Sequence, residues 1–75
     1  MKVGDVVMFT DRGRYAQWFY GRIGVIEQLS KRSVDGRDHC RVRWITSPVE
    51  YHDRMTEYSD FPLDYFEIPT DENLH

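Results

Sequence analysis

The sequence predicts an all-β domain, five short strands closed into a small barrel with one short 3-10 turn before the last strand. Three observations carry this expectation. Apolar and β-branched residues come in short runs with a two-residue repeat, separated by breaks rich in glycine, proline or charge. No 11-residue window sustains the three- and four-residue spacing of an amphipathic helix. The chain of 75 residues holds a single cysteine, Cys40, so no internal disulfide can staple it. A sheet closed on itself leaves few free edges, which suits a chain without staples.

The elements follow in order. Asp5 to Thr10, following Gly4, reads as the first strand, and Asp11 to Gln17 as a polar loop. Trp18-Phe19-Tyr20-Gly21 leads into a second strand from Arg22 to Leu29, with Gly24 placed for a bulge or a close backbone approach. Ser30 to Asp38 is a charged connection containing Asp35-Gly36, a pair favoured in hairpin turns. The third strand alternates cleanly, with Cys40, Val42 and Trp44 on one face and Arg41, Arg43 and Ile45 on the other. Thr46-Ser47-Pro48 marks a turn, after which Val49 to His52 should pair back as the fourth strand. Residues 53–59 read as an extended arm or a wide loop. Asp60 to Tyr65 reads as a single helical turn with Pro62 near its start, and Phe66-Glu67-Ile68 as the closing strand. This is the layout of an SH3-like barrel over residues 1–68, followed by an acidic tail, 69–75, that should fray. The expected inward set is Val6, Met8, Ile23, Val25, Cys40, Val42, Trp44, Tyr51, Phe61, Leu63, Phe66 and Ile68.

Four segments carry a resemblance: Gly4-Asp5-x-Val7, Gly21-Arg22-Ile23-Gly24-Val25-Ile26, Val42-Arg43-Trp44 and Phe61 to Ile68. Together they resemble a group of small SH3-like barrels that includes the E-type accessory protein of photosystem I and the variable chain of ferredoxin–thioredoxin reductase. The aromatics Trp18-Phe19-Tyr20 and Tyr51 look similar to the former. The resemblance spans roughly residues 3–68 and implies an accessory role beside a redox complex or an acidic ferredoxin. The Gly-Asp-x-Val and Gly-x-x-Gly-x-Val elements are also similar to the openings of KOW-type and Tudor-like barrels, where glycines serve barrel geometry. The connection at 30–38 is more charged than the pattern, and residues 53–59 match nothing in it. The peptide-binding SH3 signature is missing, which argues against recognition of PxxP segments.

Charge narrows the function. The net charge of −3 conceals a division. Residues 1–44 carry nine Lys/Arg against five Asp/Glu, and residues 45–75 carry one against eight. No stretch is long and apolar enough to span a membrane, and the opening lacks the apolar core of a signal peptide, so the expected location is cytoplasmic. Catalysis is not expected. His39 and Cys40 are neighbours that a strand would point to opposite faces, and His39, His52 and Asp53 lack metal-ligand spacing. No phosphate-binding glycine loop or other cofactor motif occurs.

Two features point to binding. Arg41 and Arg43 project together, Lys31, Arg32 and Arg37 lie in or beside the connection before them, and Arg22 opens the neighbouring strand. Antiparallel pairing of the second and third strands would gather these six into one basic patch. Tyr15, Trp18, Phe19 and Tyr20 crowd four aromatics into six positions, more than one strand can bury. At least one or two should stand exposed at the rim of the first loop. The plain alternatives are a solvated exterior for the arginines and a loop folded over the barrel end for the aromatics. The expected function is a non-enzymatic adapter that docks onto a protein partner with an acidic surface. The other reading is a KOW- or Tudor-like nucleic-acid-binding module, which the sequence pI of about 5.5 disfavours. Oligomeric state stays open.

Overall fold

The computed structural model describes residues 1–31, 36–45 and 48–69. Five strands form one antiparallel sheet: β1 (Val6–Phe9), β2 (Ile23–Lys31), β3 (Asp38–Trp44), β6 (Tyr58–Pro62) and β7 (Phe66–Glu67). They lie in the order β6-β3-β2-β1-β7, so the first strand sits between the second and the last. A 3-10 turn, Leu63–Tyr65, connects β6 to β7, and Pro62 stands at its cap. The 3-10 turn stands before the last strand as expected, but it begins at Leu63; Asp60 to Pro62, expected within a helical turn, end β6 instead. Among the described residues, hydrogen bonding does not close the sheet, because β6 and β7 remain its outer strands. Side chains bring its ends together instead. Phe61 on β6 and Phe66 on β7 are four strand spacings apart, roughly 19 Å in a flat sheet. Their ring centroids lie 6.2 Å apart, so the sheet curls around a shared core.

Phe9 is the hub of that core. It is fully buried, and its ring centroid lies 5.0–5.8 Å from those of Phe19, Phe61, Tyr65 and Phe66. Edge-on contacts dominate, the arrangement aromatic quadrupoles favour. Val7, Ile26, Cys40, Val42, Trp44 and Val49 complete the buried set. The buried indole N–H of Trp44 donates to Ser59 Oγ at 3.0 Å.

Of the expected inward set, Cys40, Val42, Trp44, Phe61 and Phe66 are buried, while Tyr51 and Leu63 pack partly buried against them. On β1 and β2 the phase is the opposite of that expected. Val7 and Phe9 are buried rather than Val6 and Met8, and Gly24 and Ile26 rather than Ile23 and Val25. Ile68, also expected inside, is 47% exposed. Register explains the reversal. Trp44 faces inward, and its β2 partner is Gly24, whose β1 partner is Val7. Directly opposed residues share a face, so the inward phase passes from Trp44 to Gly24 to Val7. The bulge on β2 falls between Ile26 and Gln28, not at Gly24.

Three other elements differ from expectation. Tyr15 to Tyr20 is no strand approach but a helical turn, α1 (Ala16–Phe19), which sends Phe19 into the core. Residues Val49–Tyr51 form β4, which does not join the main sheet. It pairs with β5 (Arg54–Thr56), out of the segment that reads as polar arm or loop. His52 and Asp53 turn between them with φ of 49° and 64°. Two successive left-handed residues give a tight turn whose twist matches the strands. The Asp35-Gly36 and Thr46-Ser47-Pro48 turns and the tail from Pro69 onward lie wholly or partly outside the described residues.

Gly24 does meet the expectation of a close approach. A Cβ there would stand 3.0 Å from the Arg43 carbonyl oxygen and 3.3 Å from both Trp44 Cε3 and Val42 Cβ. Gly24→Ala should therefore force β2 away from β3 and lower stability by about 1–3 kcal/mol, the range for overpacking. Urea unfolding of the two proteins measures the difference, and equal midpoints would refute the crowding.

Candidate functional site

The six basic residues expected in one patch are spread over the sheet. Arg22 precedes β2 and Lys31 ends it, and nine residues of strand separate them by roughly 30 Å. Arg22 is half-buried, its N–H donating to the Phe19 carbonyl and its own carbonyl accepting from Phe9 N–H. Arg32 lies outside the described residues. Arg41 and Arg43 do share the outer face of β3, exposed as expected. Both have neighbours there. Arg43 Nε donates to Glu27 Oε1 at 2.8 Å, and this hydrogen bond with the Glu27 charge raises the guanidinium pKa further. Arg41 stacks over the Tyr58 ring at 5.0 Å. Arg37 makes a forked contact with Asp64, at 2.8 and 3.0 Å, and lies 5.8 Å from the Tyr65 ring centre.

The four early aromatics divide likewise. Phe19 is 2% exposed and serves the core, stacked with Trp44 at 5.4 Å, so it offers a partner almost no surface. Tyr15 and Trp18 are half-buried against Tyr51, at 6.2 and 4.8 Å. Tyr20 is 46% exposed, and Arg12 both covers its ring and donates to its hydroxyl. The helical turn α1 causes this division, because its residues fan around an axis instead of alternating across a sheet.

A surface groove of about 590 Å³ draws part of both sets together. Tyr15, Tyr51, Thr56 and Tyr65 stand along it, Tyr58 to Pro62 of β6 form a wall, and Arg37 and His39 close one end. Its floor is aromatic, with Phe61 5.2 Å from Tyr15 and 5.9 Å from Tyr65. The wall is a sheet edge. Trp44 N–H donates to the Glu57 carbonyl at 2.8 Å, which sets the hydrogen-bonding phase of β3 and β6. By alternation Ser59 and Phe61 bond to β3, while Tyr58 and Asp60 turn their main-chain groups outward. The Thr56 hydroxyl donates to the Tyr58 carbonyl, and Pro62 has no N–H to offer. A short, aromatic-lined stretch of edge is the result.

The sequence pattern marks Tyr15, Phe19 and Arg37 of this groove but not Tyr51, Tyr58, Asp60 and Tyr65 as surface residues. The missing signal lies in residues 53–59, where β5 and the start of β6 are too short and polar to show alternation. Cys40 and His39 are both buried, 1% and 7% exposed. Among the described residues no three His, Cys, Asp or Glu side chains gather as a metal would need. No helix among them is long and apolar enough to cross a membrane. Compared with known protein families, curated proteins and solved structures, the chain matches none.

Burial, and then the nearby Asp60 charge, push the Cys40 thiol from 9.0 up to about 11. Both disfavour the thiolate, so the folded thiol holds its proton longer than the unfolded one. The resulting stability is whole below pH 9 and disappears as pH rises through about 11. Cys40 should resist alkylation at pH 8 until the chain unfolds, and Cys40→Ser or Cys40→Ala should flatten the alkaline limb of a stability–pH curve. Rapid labelling of the native protein would refute this.

Proposed function

We propose that the protein is a non-enzymatic binding module that takes an extended segment of a partner protein in the groove beside β6. The observation that carries this is the convergence there of four tyrosine rings with a stretch of β6 that, among the described residues, pairs with no further strand. Edge groups can bond to an added strand, and flanking pockets then select its side chains. Tyr15, Tyr51, Tyr58 and Tyr65 supply rigid contact area with a polar tip, the residue type enriched where partners bind tightly. Arg41, held over Tyr58, places positive charge at the rim. That charge suits an acidic partner segment and would steer its approach. The resemblance to accessory barrels of electron-transport complexes supports docking over catalysis.

A nucleic-acid ligand has less support. Arg37 and Arg43 are engaged with Asp64 and Glu27, and the expected six-residue basic patch does not assemble. Phosphate binding depends on several cations acting together.

A tagged chain used to capture partners from its source cells tests the proposal. Tyr58→Ala with Arg41→Glu alters two exposed positions and should reduce capture roughly tenfold without unfolding the domain, as expected for a central aromatic contact. Trp18 lies against Tyr51 at the groove, so its fluorescence should follow binding of the captured protein. Undiminished capture by the double variant would rule the groove out as the docking site. Tight binding of oligonucleotides at about 50 mM salt, lost as salt rises, would instead favour a nucleic-acid ligand.

A further inference from the structure

The edge of β6 carries a charge pattern as well as main-chain groups. Tyr58 and Asp60 are both exposed and share one face of the strand. Arg41 lies directly opposite Asp60 on β3. Its guanidinium does not settle on that carboxylate but reaches diagonally over the Tyr58 ring, 5.0 Å from the centre. Among the described residues the Asp60 carboxylate forms no ion pair and accepts no hydrogen bond. The edge therefore presents a negative charge at Asp60 and a positive one over Tyr58, two residues apart on the same face.

We infer, on the footing of the groove proposed above, that its partner segment adds to β6 as an antiparallel strand with a basic residue opposite Asp60 and an acidic one opposite Tyr58. Directly opposed residues share a face, so the first side chain stands beside the Asp60 carboxylate and the second beside the Arg41 guanidinium. Opposite charges in such pairs are favourable, and like charges are not. The partner residue between them points the other way, with Phe61, toward the aromatic floor that Tyr15 and Tyr65 share. An apolar or aromatic side chain fits there. Antiparallel pairing is the slightly more stable kind, and it fixes the order from N to C terminus as basic, apolar, acidic.

The main chain limits the length. Asp60 exchanges two hydrogen bonds with the residue opposite, and Tyr58 N–H donates a third. The Tyr58 carbonyl already accepts from the Thr56 hydroxyl, and Pro62 has no N–H. The paired core is thus about three residues, or roughly 10 Å of strand. So short a match depends on its charge register for selectivity.

Two labelled peptides test this by fluorescence anisotropy: Gly-Val-Lys-Phe-Glu-Thr-Gly and the charge-exchanged Gly-Val-Glu-Phe-Lys-Thr-Gly. The first should bind with Kd below about 1 mM, and the second about fivefold more weakly. Asp60→Lys should erase that preference. Asp60→Pro should weaken the first peptide at least tenfold, and more than Asp60→Asn does. The edge position of Asp60 tolerates proline, because its N–H makes no bond to β3. In the unaltered protein, saturation with the first peptide should slow hydrogen exchange of the Asp60 amide at least tenfold. Equal binding of the two peptides, binding of neither, or unchanged exchange at Asp60 overturns the inference. If Tyr58→Ala with Arg41→Glu still reduces partner capture, the groove stands while this register falls. Capture undiminished by that double variant strikes the groove itself.

Discussion

The structure depends on the packing of aromatic rings around Phe9. Five strands with these lengths could lie as a nearly flat sheet with exposed edges. Phe61 and Phe66 come from opposite edges, and both meet Phe9. Burying three large rings together favours the curled sheet over the flat one, because each ring removes a large apolar area from water. The 3-10 turn makes this possible, since it carries the chain between the two edge strands in three residues. Tyr65 on that turn also reaches Phe9, at 5.8 Å, and so ties the core to the groove outside it.

The curl has a consequence for the surface. Among the described residues, side chains and not hydrogen bonds bring the ends of the sheet together, so β6 keeps a free edge beside the core. The α1 turn and the β4–β5 hairpin stand across from that edge, joined by Phe19, Tyr15 and Trp18 packing on Tyr51. The groove is the space left between them. Its tyrosines therefore perform two tasks, supporting the core on one side and presenting hydroxyl-tipped rings on the other. A cavity inside a barrel this small is not needed to make a concave surface.

The opposite face of the sheet explains why the phase of β1 and β2 could not be read from their residues. Val6-Val7-Met8-Phe9 and Ile23-Gly24-Val25-Ile26 are apolar at nearly every position, so neither alternate set is marked as inward. The strand with arginines at every second position carries the answer. Arg41 and Arg43 must face water, which turns Cys40, Val42 and Trp44 inward, and pairing then transmits that phase to Gly24 and Val7. An ambiguity in hydrophobic pattern is thus a physical property of this sheet, with apolar surface on both sides.

The sequence by itself determined the strand-rich character of the chain, the inward face of β3, the close approach at Gly24 and the 3-10 turn at Pro62. Each rests on a local rule: alternation, the lack of a Cβ, or the fixed geometry of proline. Tertiary structure alone decided the phase of β1 and β2, the helical turn that buries Phe19, and the β4–β5 hairpin. It also decided which arginines stand together, separating Arg22 from Lys31 by the length of a strand while leaving Arg37 and Arg41 beside tyrosines. These outcomes depend on what lies opposite each residue in space, and contacts between distant segments leave no periodic mark in either segment alone.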